Sequence, residues 1–111
     1  MWAALQSVQL DGFVASTDQG LHTWVGESGM ELSAGPSRRL ALARLFMRNP
    51  QLVILDEPLT GLDEQTAEAV SARLSDWLSE RTAIVRGHGP GSLPRVDRRL
   101  LLRASALSEE N

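Results

Sequence analysis

Residues 52–63 read LVILDEPLTGLD, and this run constrains the fold more than any other part of the sequence. Four apolar residues in succession, including Val53 and Ile54, suit a strand buried on both faces, as in a parallel sheet. The run ends on two adjacent carboxylates, Asp56 and Glu57, and then Pro58. Two readings of that acidic pair stand side by side. It is either the exit of a buried strand into solvent, or a pair of acids at the carboxyl end of a parallel strand, where α/β proteins place their ligands. In the second reading Asp56 suits holding Mg²⁺ through water, and Glu57, pointing elsewhere, suits aligning or deprotonating a water molecule. Downstream, Gly61 permits a tight turn, and Asp63 either caps the next helix or reaches a subunit boundary.

The flanking segments set this strand in an α/β order. Residues 2–8, WAALQSV, read as a short helix, and 11–37, rich in Gly, Ser and Thr, read as loop with short helical turns. Pro36 suits the first position of a helix running from Arg38 to Arg48, with an apolar stripe of Leu40, Ala43 and Met47 and a stop at Asn49–Pro50. After the strand, Asp63 and Glu64 open an amphipathic helix whose stripe is Ala67, Val70, Leu74, Trp77 and Leu78, ending near Arg81. TAIVR (82–86) reads as a second strand, GHGPGSLP as a loop, RRLLLR (98–103) as a third strand, and 104–111 as a polar tail. Strands separated by a helix favour a parallel, right-handed arrangement, so the expectation is a thin three-stranded sheet with flanking helices.

Composition narrows the partners. With 111 residues, 42% hydrophobic and 23% charged, the chain has the make-up of a single soluble unit. A net charge of −3 argues against a nucleic-acid surface, and no apolar stretch approaches the length of a membrane span. With no cysteine there are no disulfides or thiolate metal sites, and His22 and His88, far apart in sequence and without nearby ligand partners, argue against a histidine metal site. All eleven basic residues are arginines. The absence of lysine removes any chemistry that requires an ammonium group.

Four elements in one order resemble the nucleotide-binding domain of ABC transporters. LSAGPSRRLALARLFMRNP (32–50) is similar to the signature LSGGQ and its arginine-bearing helix, LVILDEP (52–58) to the Walker B strand, and LTGLD (59–63) to the D-loop. His88 falls after the strand TAIVR, where the family has its switch histidine. The lead GLHTWVGESGMELS resembles exporter-type domains, and TWVGE together with RRLALARL and LDEPLTGLD is most similar to the heterodimeric thiol exporters of cytochrome bd assembly.

The resemblance implies a partial P-loop NTPase fold, the carboxyl-terminal half of an ATP-binding domain, and ATP with Mg²⁺ as cofactors of the complete domain. It implies that Glu57 is the general base, that His88 contacts the γ-phosphate and that Asp56 assists Mg²⁺. Ser33 and Gly35 would meet the ATP of a second, partner domain, helped by the helix N-terminus behind them, and Asp63 would lie in the D-loop. Implied partners are a second nucleotide-binding domain, in a heterodimer, and separate transmembrane domains, at the cytoplasmic face of the inner membrane.

Two departures stand against the pattern. Without lysine there is no G-x-x-x-x-G-K-[ST] P-loop, so the phosphate that Asp56 and Glu57 would serve depends on residues outside this sequence. In the signature, Ala34 replaces a glycine and Pro36 the glutamine, which restricts backbone approach and removes an amide. The expected function is therefore the ATP-binding part of an exporter, inactive alone. The alternatives are a non-enzymatic module that docks on a partner ATPase and a lobe of a DNA-repair type ABC ATPase.

Overall fold

The computed structural model describes residues 1–27, 29–89 and 91–110. Ser28 in the lead to the signature-like segment, Pro90 in the loop and Asn111 at the end lie outside the described residues. In chain order the elements are α1 (Trp2–Ser7), α2 (Asp11–Ser16), a 3-10 turn (Gly20–His22), α3 (Ala34–Arg48), β1 (Leu52–Asp56), α4 (Glu64–Leu78), β2 (Thr82–Arg86), β3 (Leu100–Arg103) and β4 (Ala106–Glu109).

β1 and β2 pair in parallel, in register from Leu52 opposite Thr82 to Asp56 opposite Arg86. The alternation of β1 turns Val53 and Leu55 into one core with Val70, Leu74 and Leu78 of α4, joined by Leu5, Val8 and Leu10 and by Leu42 and Ala43 of α3. On the other sheet face Leu52, Ile54 and Ile84 are 58%, 71% and 60% exposed. A parallel sheet normally has both faces covered, and here one is bare. The Cα radius of gyration, 15.4 Å, exceeds the roughly 13 Å of a closely packed chain of this length.

The helices follow their sequence signals with informative shifts. α3 starts at Ala34, capped by Ser33, so Pro36 is its third residue rather than its first. Proline is tolerated there because amides of the first helical turn have no partner within the helix. Asn49 ends α3 in the left-handed conformation, φ 50°, before Pro50. The expected stripe is only partly internal: Ala43 is buried, while Met47 is 54% exposed. Leu40, Ala43 and Met47 also border an open apolar cavity of about 330 Å³ shared with Phe13 and Val14 of α2. α4 ends at Leu78, three residues early, because the hydroxyl and amide of Ser79 both turn back to the Asp76 carbonyl. Trp77 lies 5.1 Å from Phe46, ring to ring, and Arg81 stacks 4.0 Å over Trp77, tying the end of α4 to α3.

Two expectations for the carboxyl-terminal segment need correction. The third strand, β3, does not join the parallel sheet, and the polar tail at 104–111 contains β4. β3 and β4 form an antiparallel hairpin closed by Ala104 and Ser105, whose φ angles of 45° and 66° make a mirror-image turn. A two-residue connection brings β4 to β3 with little loop-closure cost, so local pairing wins. Among the described residues no helix is long and apolar enough to cross a membrane.

Leu74 is fully buried and Ile54 is 71% exposed, so their truncations should separate. In urea unfolding, Leu74→Ala should cost about 2–5 kcal/mol and Ile54→Ala little. Comparable losses at both positions would show that the outer sheet face is covered in solution.

Candidate functional site

The acidic pair stands where the two parallel strands end. β1 closes on Asp56, and the Glu57 amide donates to the Arg86 carbonyl at 2.8 Å, extending the pairing by one residue. Glu57 then takes the left-handed conformation at φ 53°, an uncommon one for a residue bearing a Cβ. That turn separates the two carboxylates. The Asp56 side chain is 69% exposed, whereas that of Glu57 is 15% exposed.

Glu57 is held from both sides. The Thr60 hydroxyl donates to Glu57 Oε2 at 2.7 Å, and His88 Nδ1 lies 2.5 Å from Glu57 Oε1. These hydrogen bonds, Thr60 first and His88 second, hold the Glu57 carboxyl below its ordinary value of 4.5, with the positive charges of His88 and Arg86 adding to them. Arg86 Nη1 donates to Asp56 Oδ1 at 2.6 Å and lies 3.7 Å from Glu57 Oε1. The Arg38 guanidinium donates to the Thr60 carbonyl at 3.1 Å, linking α3 to the turn that positions Glu57.

Asp56, Glu57 and His88 are thus brought together, and the others stand apart. Ser33 caps α3 with its backbone; its side chain makes no capping bond, and its carbonyl accepts the Ser37 amide at 3.0 Å. Gly35 faces the D-loop-like turn: a Cβ placed on it would lie 3.8 Å from the Gly61 carbonyl oxygen and 3.9 Å from Leu62. Gly61 has φ 81°, the conformation the tight turn requires of it. Asp63 accepts the Thr66 amide at 3.0 Å and the Thr66 hydroxyl at 2.7 Å, so both of its oxygens serve the start of α4. Trp24 is 70% exposed and its indole N–H donates to the Glu27 carbonyl at 3.1 Å, a contact within the loop.

Sequence reasoning missed Thr60 and Arg86. Thr60 was legible as a hydroxyl three residues beyond an acid in a turn, the spacing of a local side-chain bond. Arg86 follows only from the in-register pairing of β1 with β2. The apolar cavity beside α2 is lined by none of Asp56, Glu57 or His88.

The profile of the ABC transporter family matches residues 2–60. This chain belongs to the ABC transporter family. It is 33% identical over 110 residues to an uncharacterized ABC transporter ATP-binding protein, YwjA, of Bacillus subtilis, covering 99% of this chain and 19% of that protein. It is 39% identical over 108 residues to the ATP-dependent lipid A-core flippase of Burkholderia orbicola, covering 97% and 18%. It is 38% identical over 109 residues to human antigen peptide transporter 2, covering 96% and 15%. A solved bacterial Atm1-family ABC exporter with ATP bound superposes with a TM-score of 0.82 at 32% identity, covering 97% of this chain and 19% of that one. The chain therefore spans less than a fifth of the length of these relatives, and its mixed α/β structure with parallel strands corresponds to part of an ABC ATPase fold.

The carboxylates of the site predict an acid response. Asp63 is held below its ordinary 3.8, first by the Thr66 hydroxyl, as Glu57 is below 4.5 by Thr60. A depressed folded-state pKa adds stability that is present above the unfolded value and lost as pH falls through the folded one. Asp63→Asn keeps an oxygen for the Thr66 amide but removes the titration. In thermal unfolding from about pH 7 down to about pH 3, the native chain should lose its advantage over Asp63→Asn below about pH 4. Parallel curves for the two proteins would show that Asp63 gains nothing from its charge.

Proposed function

We propose that this chain is the part of an exporter ATP-binding domain that carries the catalytic base, and that it works with a P-loop-bearing segment. The carrying observation is Glu57, held between Thr60 and His88 beside Asp56 at the carboxyl ends of β1 and β2. The relatives named an ATP-dependent flippase and an exporter with ATP bound support ATP as the ligand.

In this reading, the ionised Glu57 accepts the proton of an attacking water. A carboxylate kept below its ordinary range is already ionised at neutral pH, as a general base must be. His88 is 82% exposed beyond the strand ends, free to orient Glu57 through Nδ1 and to present its other nitrogen to a phosphate. Asp56 fits one water-mediated ligand of Mg²⁺, a cation commonly held by one or two carboxylates plus phosphates and waters. Mg²⁺ supplies neutralisation of phosphate charge when bound. Ser33 and Gly35, at the start of α3, would face a partner domain's ATP, and Asp63 would fix the turn between the two sites by capping α4.

The finer assignment is to a heterodimeric exporter, on the resemblance of its LDEPLTGLD and TWVGE segments to the thiol exporters of cytochrome bd assembly, acting at the cytoplasmic face of the inner membrane. The altered LSAGP signature beside an intact Glu57 and His88 supports an asymmetric pair of ATP sites. The partners are a second nucleotide-binding domain and transmembrane domains, with no role for nucleic acid.

Because the sequence has no lysine and so no P-loop, the chain alone should show no micromolar affinity for Mg-ATP by calorimetry, and micromolar binding would overturn the two-piece site. Joined to a P-loop-bearing segment and paired with a partner domain, Glu57→Gln should slow single-turnover hydrolysis by about 10² to 10⁴ while sparing nucleotide binding. Hydrolysis at the unmodified rate would remove Glu57 from the chemistry.

A further inference from the structure

Arg86 stands in the site without a task in the chemistry above. Strand register delivers it there, because Asp56 and Arg86 are directly paired at the ends of β1 and β2. One nitrogen, Nη1, lies 2.6 Å from Asp56 Oδ1 and 3.7 Å from Glu57 Oε1. It is the cation that Asp56 Oδ1 holds in this structure.

The chemistry of the group makes this a competition. A guanidinium does not lose its proton in proteins, so it remains a cation and leaves Asp56 only by moving. Both partners are largely exposed, 71% for Arg86 and 69% for Asp56, so their pair is held weakly and can open. With Arg86 in place the two carboxylates and the guanidinium carry one net negative charge, and without it they carry two. A divalent cation is drawn far more strongly to the second arrangement.

We propose that Arg86 is a built-in competitor for the divalent cation at Asp56. Its guanidinium must leave Asp56 Oδ1 before a metal-bound water takes its place, and this sets the metal concentration at which the site fills. The inference rests on reading Asp56 as the Mg²⁺ carboxylate.

The test needs no nucleotide and no turnover. In the 111-residue chain, Mn²⁺ standing in for Mg²⁺ should broaden the backbone amide NMR signals of residues 55–57. Arg86→Gln should lower the Mn²⁺ concentration at half-broadening by about tenfold, Arg86→Lys should stay near the native value, and Asp56→Asn should abolish the local effect. Equal midpoints for the native chain and Arg86→Gln would overturn the competition while leaving Asp56 as the metal carboxylate. Absence of local broadening in every variant would overturn both. A second measurement on the native chain guards against misfolded variants: during Mg²⁺ titration the Arg86 Nε–H signal should move with the same midpoint as the Asp56 carboxyl carbon. An Arg86 signal that stays fixed while Asp56 titrates would refute displacement.

Discussion

The burial of Val53 and Leu55 against Val70, Leu74 and Leu78 is the contact on which the rest of this structure depends. It fixes the face of β1, and through parallel pairing it fixes β2 as well. A slip of one residue would turn Leu52 and Ile54 inward and reverse every side chain at the strand end. Asp56 would then no longer face Arg86, and Glu57 would lose the carbonyl that anchors its amide. Apolar packing several residues away therefore determines where the acidic cluster stands.

The cluster combines contacts from three parts of the chain with little burial. Glu57 comes from the end of β1, Thr60 from the turn after it, and His88 from beyond β2, while Arg38 of α3 steadies the Thr60 carbonyl. Most of these groups are exposed, so their geometry depends on backbone anchoring and short-range hydrogen bonds. The same openness continues along the bare face of the parallel sheet.

How much of this was legible in the sequence followed the range of the interaction responsible. β1, α4 and its Asp63 cap were readable because apolar periodicity and capping are local. Asp56, Glu57 and His88 stood out through motif order, and the fold brings them together. The hairpin was not readable, because Ala104 and Ser105 carry none of the Asn or Gly preference that announces a mirror-image turn. Met47 was misplaced because α3 has two apolar faces, one toward the core and one toward the cavity beside α2. Arg86 was invisible for another reason: its partner is thirty positions away, and only the strand register unites them.

The left-handed backbone of Glu57 has a consequence for which substitutions the site can accept. Glycine would sit most comfortably at φ 53°, so the conformation and the side chain pull in opposite directions at this position. The chain keeps a carboxylate where the backbone would prefer no side chain at all, and Pro58 behind it further narrows the available torsions. Loosening the Thr60 or His88 hydrogen bond would let the Glu57 carboxylate swing away from the strand end, even with its backbone still anchored to the Arg86 carbonyl. Damage to those two neighbours should therefore look like loss of the acid itself, even in a protein whose Glu57 is untouched.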